Sequence, residues 1–233
     1  MHYDVFNGDA DGIIALLQLR LSEPKESRLI TGVKRDIKLL GRVLKQDDVS
    51  SVTVLDISME KNTDPLNKLL ENNTPVFYCD HHRTGDIPQS KYLETLIDLD
   101  AEACTSLLVN EKLSGKHLAW AIAAAFGDNL ISTAKKIATS NGFKEDDINF
   151  LCELGTLINY NGYGADESDL HMSPVELFKN LLNYPDPFML RQDLESPFYM
   201  LKNGYEADYA KLAELVPIEV NHVCKIYELP AES

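Results

Sequence analysis

Apolar positions in the first hundred residues follow two alternating rhythms. Short runs rich in β-branched and aromatic residues, at 3–6, 28–32, 52–56, 76–79 and 94–98, have the length and bounding turns of strands. Between them, residues 12–21, 35–45 and 62–72 space their apolar side chains three to four apart, the period of an amphipathic helix. This alternation predicts an α/β fold: a parallel sheet of about five strands with right-handed crossovers and helices on both faces. Past residue 100 the pattern is mainly helical, over 102–113, 116–126, 128–141, 145–158 and 173–183. From Tyr184 onward Pro185, Pro187 and Pro197 interrupt it. The expected organisation is a main domain over 1–184, then a linker over 185–222 with a helix near 205–215. A β-like run, Val223 to Leu229, then reads as the start of a cut-off further domain over 223–233.

Composition narrows the class. A chain of 233 residues with 44% apolar content can build a substantial core, and nothing in it reads as disorder. Cys79, Cys104, Cys152 and Cys224 are far apart, with no C-x-x-C pair, so reduced thiols are expected rather than disulfides or zinc. The N-terminus has no basic region followed by an apolar run, and the longest apolar stretch, Leu118 to Phe126, is far short of the roughly 20 residues that span a bilayer. A cytoplasmic protein without membrane contact is the expectation. A net charge of −15 argues against long duplex nucleic acid as a partner, because such binding rests on many cationic contacts to phosphate. It leaves room for a short oligonucleotide or a mononucleotide held by metal ions and a local basic patch.

Candidate chemistry gathers at strand ends. The first strand runs into Asn7-Gly8-Asp9-Ala10-Asp11-Gly12, two aspartates with glycines that let the backbone turn toward one crevice. The string imitates the front of a calcium-binding EF-hand loop, but its twelfth position is Gln18 and a strand precedes it. No G-x-G-x-x-G follows the first strand, which sets a Rossmann-type cofactor site aside. The third strand delivers Asp56, a ligand or a helix cap. The fourth delivers Asp80-His81-His82, where carboxylate and imidazole together suit a borderline divalent metal. Gly127-Asp128 breaks an alanine-rich helical run and, taken alone, reads as a cap.

Cationic and aromatic candidates flank these. Lys34 and Arg35 follow the second strand at the expected start of a helix, where an anion would give them a purpose; solvated surface charge is the equal alternative. Arg83, directly after the two histidines, is the better phosphate contact. Tyr160 and Tyr163 lie in a loop, Asn159 to Gly164, that reads either as a stacking platform for a nucleobase or as an ordinary surface loop. Trp120 reads as core, and His2, His117, His171 and His222 as structural or exposed.

Taken in order, N-x-D-x-D-G, a strand-end Asp, D-H-H and G-D resemble the DHH phosphoesterase superfamily over residues 1–185, of the RecJ-like and nanoRNase–pAp phosphatase type. The resemblance implies a catalytic domain hydrolysing phosphodiester bonds in short oligonucleotides or dinucleotides. Two metal ions about 3.5–4 Å apart, manganese first and magnesium second, would activate a water. It makes Asp9 a ligand of the first ion, Asp11 of the second and Asp56 a bridge between them. His81 and Asp128 would complete the second position, His82 would face the scissile phosphate, and Asp80 would bind metal or orient the histidines. Asn7 stands where the family's commonest motif has histidine, and an amide oxygen is the weaker ligand. The glycine-rich motif of the family's DHH-associated second domain is not found: the sequence has no Gly-Gly pair. Alternative outcomes are a phosphomonoesterase or pyrophosphatase acting on a small phosphate, or a catalytically weak nucleotide-binding regulatory module. A homodimer is left open.

Overall fold

Five parallel strands make the sheet: β1 (His2–Phe6), β2 (Ser27–Ile30), β3 (Ser51–Leu55), β4 (Val76–Asp80) and β5 (Leu93–Ile97). The computed structural model describes residues 1–217, 219–220 and 224–226 of the chain. The strands are ordered β2-β1-β3-β4-β5, and every pair in the sheet is parallel. All the expected strands are present, and the fold is α/β. Strand β1 is wholly buried between β2 and β3, which explains its apolar-aromatic character around one aspartate.

Alternation along the strands divides the core between two faces. Tyr3, Val5, Val52, Val54, Val76 and Tyr78 point to one side and meet the helix α2 (Thr63–Glu71) and the short 3-10 turn Leu40–Lys45. Phe6, Leu55 and Cys79 point to the other side, into the larger cluster. There α1 (Ala10–Ser22) packs on α3 (Thr105–Lys112) and α4 (Leu118–Gly127). Helix α4 lies in turn against α5 (Ile131–Ser140) and α6 (Glu145–Asn161). Trp120 is 1% exposed in this cluster, as a core residue should be.

The helix expected over 35–45 does not form as such: only Leu40–Lys45 winds, in 3-10 geometry. A long-range contact prevents it. The Asn62 amide donates to the Ile37 carbonyl at 2.7 Å and accepts from the Leu40 N–H at 3.2 Å, taking backbone groups a helix would have used. Lys34 and Arg35 therefore stand in a turn and not at a helix N-terminus.

The proline-rich stretch is packed. After α7 (Pro174–Leu181), Pro187 opens the 3-10 turn Pro187–Gln192 and Pro197 opens α8 (Pro197–Glu214), the first-turn position that a missing N–H favours. Leu190, Phe198 and Leu201 are buried in the main core, and α8 packs along α6. Helix α8 thus begins well before the segment near 205–215 where a linker helix is expected. Of the β-like run 223–229, residues 224–226 are described and the rest lies outside the described residues; Lys225–Ile226 pairs antiparallel with Glu219–Val220. Among the described residues no helix is long and apolar enough to cross a membrane.

Candidate metal centre

The strand order reverses direction at β1. The chain leaves β1 for β2 on one side and returns to β3 on the other, so a crevice opens between the carboxyl ends of β1 and β3. Asp9 and Asp11 sit on one lip and Asp56 on the other. The Asn7–Gly12 loop is drawn tight against its surroundings. A Cβ on Gly8 would lie 1.8 Å from the Gly32 carbonyl oxygen, and one on Gly12 would lie 2.3 Å from the Asn7 carbonyl oxygen. The glycines serve this close approach; neither has a positive φ.

Each carboxylate is held by specific donors. Asp9 caps α1, accepting from the Gly12 N–H at 3.1 Å, and its Oδ2 meets the Lys34 ammonium at 2.8 Å. Asp11 accepts at 2.7 Å from the backbone N–H groups of both Thr105 and Ser106, so the start of α3 fixes its orientation. Thr105 and Ser106 carry no motif; nothing short of the fold reveals them. Asp56 has φ 58°, a left-handed conformation that aspartate tolerates better than most residues. It caps no helix: Ser58 precedes the next turn, Met59–Lys61. Tyr78 supports the same turn by donating its hydroxyl to the Ile57 carbonyl at 2.7 Å. Asp128 follows the last turn of α4, its N–H bonded to the Ala124 carbonyl at 2.8 Å.

These side chains converge on His81. Its Nε2 lies 3.4 Å from Asp56 Oδ1, 3.7 Å from Asp128 Oδ2 and 3.8 Å from Asp11 Oδ2. It is buried without a hydrogen-bond partner, as are Asp80 Oδ2 and Asn7 Oδ1. Donors about 2.1–2.3 Å from an ion and roughly 90–120° apart sit about 3.0–4.0 Å from one another, so this spacing suits ligands around a cation better than direct hydrogen bonds. Among the described residues, two groups bring their donor atoms within 4.8 Å of one another, Asp11–His81–Asp128 and Asp56–His81–His82. In the second, His82 Nδ1 is already committed to Asp80 Oδ1 at 2.7 Å. The Asp11–His81–Asp128 group, joined by Asp56, is the stronger candidate.

The electrostatics ask for positive charge. Five carboxyl groups, Asp9, Asp11, Asp56, Asp80 and Asp128, face one lysine and two imidazoles. Burial, then the charges of Asp9, Asp11 and Asp80, push the Asp56 carboxyl well above its usual range. Burial and the Asp11 charge push Asp128 up to about 6. For Asp9 burial pulls upward, but the Lys34 charge and hydrogen bond outweigh it and the carboxyl is lowered; Asp9 and Asp56 also share a hydrogen bond. The Asp80 hydrogen bond raises His82 against the opposing effect of burial. Orphaned donors and crowded carboxyls are what a divalent cation would relieve, so these residues fit a metal.

The rim carries the remaining candidates. His82 is 45% exposed and faces outward. Arg83 is exposed, and its carbonyl accepts from Ser58 Oγ at 2.9 Å. Arg35, Tyr160 and Tyr163 line a cavity of about 330 Å3 together with His171 and Asp208. It adjoins the crevice through Lys34, whose ammonium lies 5.6 Å from the Tyr163 ring centre. The histidines outside the motif have partners: His171 with Asp208 at 2.9 Å, His117 with Ser22 at 2.8 Å, and His2 with Asp4 at 3.1 Å. His222 lies outside the described residues.

No family model and no curated protein matches the chain. Solved structures do. A DHH domain described as belonging to a family of ribosomal proteins aligns at a TM-score of 0.54 with 14% identity, over 97% of this chain and 62% of that one. Exonuclease RecJ bound to manganese aligns at 0.56 with 16% identity, over 92% of this chain and 64% of that one. The chain shares the fold of these two proteins. It spans a little under two thirds of the length of either DHH protein. The ordered motifs fall in it where the DHH resemblance expects: after β1, after β3, after β4 and between α4 and α5.

Proposed function

We propose that the chain is a divalent-metal-dependent phosphoesterase that hydrolyses phosphodiester bonds in short oligonucleotides or dinucleotides. One observation carries this reading: His81 Nε2, buried and unpartnered, faces Asp11, Asp56 and Asp128 at ion-ligand spacing. The likeness of fold to an exonuclease solved with manganese supports the reaction class and the metal. Asp11, Asp56, His81 and Asp128 would hold the ion, manganese before magnesium given the mixed oxygen–nitrogen donors. Bound there, it supplies a Lewis acid that polarises the phosphoryl group and eases deprotonation of a water.

The chain's own groups do the rest. Asp80 accepts from His82 Nδ1 and favours the protonated ring, whose Nε2–H can then donate a hydrogen bond to a phosphoryl oxygen. Lys34 lends positive charge beside Asp9. Arg35, Tyr160 and Tyr163 offer a cation and aromatic faces to the nucleoside next to the scissile phosphate. Arg83 is free to swing toward that phosphate. In the reaction a water oxygen bonds to phosphorus as the bond to the leaving ribose oxygen breaks. The water loses one proton, and the leaving oxygen gains one.

The test is incubation of the chain with Mn2+ and a panel: a 5′-labelled dinucleotide, a short oligonucleotide, cyclic dinucleotides, pAp and pyrophosphate. Cleavage of the diesters that EDTA and Asp56→Asn both abolish is the expected result. Turnover confined to pAp or pyrophosphate would replace the diesterase reading with a small-phosphate one. Nucleotide binding without turnover on any substrate would make the chain a regulatory module instead.

A further inference from the structure

We propose that the Lys34 ammonium permanently fills one of the two cation positions of the crevice, so that the chain binds a single divalent ion, at His81. The inference rests on the metal reading above and departs from the two-ion arrangement that the motif order leads one to expect.

Two anionic centres lie side by side. The one around His81 has a buried, unpartnered imidazole nitrogen facing three carboxylates, with neither lysine nor arginine among the described residues paired to it. In the other, both Asp9 oxygens already have partners. Asp9 Oδ1 accepts from Gly12 and Oδ2 holds Lys34 at 2.8 Å. Asp9 accordingly belongs to neither group of residues whose atoms could hold an ion together. A carboxylate in a working two-ion site would be expected to keep a free oxygen for metal.

Lys34 is also built in. Its Nζ donates to Asn159 Oδ1 at 2.8 Å and its backbone N–H to the Gly162 carbonyl at 2.8 Å, both at the end of α6. The side chain is only 26% exposed. A lysine serving as mobile surface charge would have neither anchor. Position 7 completes the case. Asn7 presents a neutral amide oxygen, weaker for a divalent ion than imidazole, and this oxygen is buried without a partner. With only a weak amide donor at position 7 and an anchored ammonium on Asp9, a side chain takes the place of an ion. The ammonium can still neutralise a phosphoryl oxygen, as a point charge.

The experiment counts bound Mn2+ by titration calorimetry and by electron paramagnetic resonance, which separates isolated ions from spin-coupled pairs. The wild-type chain is expected to bind one ion, with the spectrum of an isolated Mn2+. Lys34→Arg should keep that count. Lys34→Ala should take up a second, weak ion, and adding Asn7→His to Lys34→Ala should tighten it at least tenfold and produce the coupled spectrum. Two ions in the wild-type chain would overturn the proposal while leaving the metal reading intact. No ion at all would overturn both. One ion in both Lys34→Ala and the double variant, each shown folded by its thermal melt, would also overturn it, since Lys34 would then be holding no ion's place.

Discussion

At the scale of single residues, the site places destabilised groups where function needs them. Asp56 combines a left-handed backbone, near-complete burial and three neighbouring carboxyls. Asparagine tolerates the same backbone and carries no charge. Asp56→Asn should therefore raise the melting temperature of the metal-free protein by a few degrees, on the order of 1–2 kcal/mol for a chain of this size. The same variant should lose stabilisation by Mn2+. Differential scanning calorimetry with EDTA and with Mn2+ checks both signs; a metal-free protein that melts lower than wild type would speak against crowding of charge. His82 should separate from the ligands in the opposite way. His82→Ala is expected to slow turnover about 100-fold, the usual size of a lost proton donor, with the Mn2+ affinity unchanged. A loss of metal affinity of equal size would make His82 a ligand.

At the scale of elements, strands and helices show how far the pattern of apolar positions reaches. All five strands and the helices α1 to α7 follow from period and spacing alone, because each buries a continuous face, whereas α8 was expected only near 205–215. The failure over 35–45 has a long-range cause, the Asn62 amide reaching back to Ile37 and Leu40. Within the site, Asp9, Asp11, Asp56, His81 and Asp128 were legible from the order of motifs, and the structure gathers them. The partners of those residues were not. Thr105 and Ser106 reach Asp11 across more than ninety residues, and the pairing of Lys34 with Asp9 depends on a turn where a helix is expected.

The opposite end of β1 was equally hidden. Asp4, fully buried, accepts from Arg20 on α1 and from Ser27 on β2, and His2 joins it. Burial pulls the Asp4 carboxyl upward, but the bonds from His2 and Arg20 outweigh it and hold it at about 2. Its folded value is thus below the unfolded one, about 3.9. The stability it contributes, roughly 2 kcal/mol, is present above that unfolded value and lost as pH falls from about 4 toward 2. Urea midpoints measured over that window should fall more steeply for wild type than for Asp4→Asn; parallel curves would remove Asp4 from the account. Removing the cation is the harsher change. Arg20→Leu leaves a buried carboxylate unpaired and should cost about 3–5 kcal/mol.

At the scale of the whole molecule, a net charge of −15 and an acidic crevice attract cations and repel long polyanions. Long duplex DNA should show no binding by fluorescence anisotropy at about 0.15 M salt, even with Mn2+ present. Binding with a steep salt dependence would contradict this expectation. Metal should act as a stabilising ligand. At a Mn2+ concentration a hundred times the dissociation constant, about 2.7 kcal/mol of stabilisation is expected, reversed by EDTA.

The most direct measurement is anomalous scattering at the manganese edge from a crystal grown with Mn2+. A peak about 2.1–2.3 Å from His81 Nε2, touching the carboxylates of Asp11, Asp56 and Asp128, is the expected result. Full-strength density for the four side chains with no anomalous peak among them would contradict it, and with it the assignment of the crevice as a hydrolytic centre.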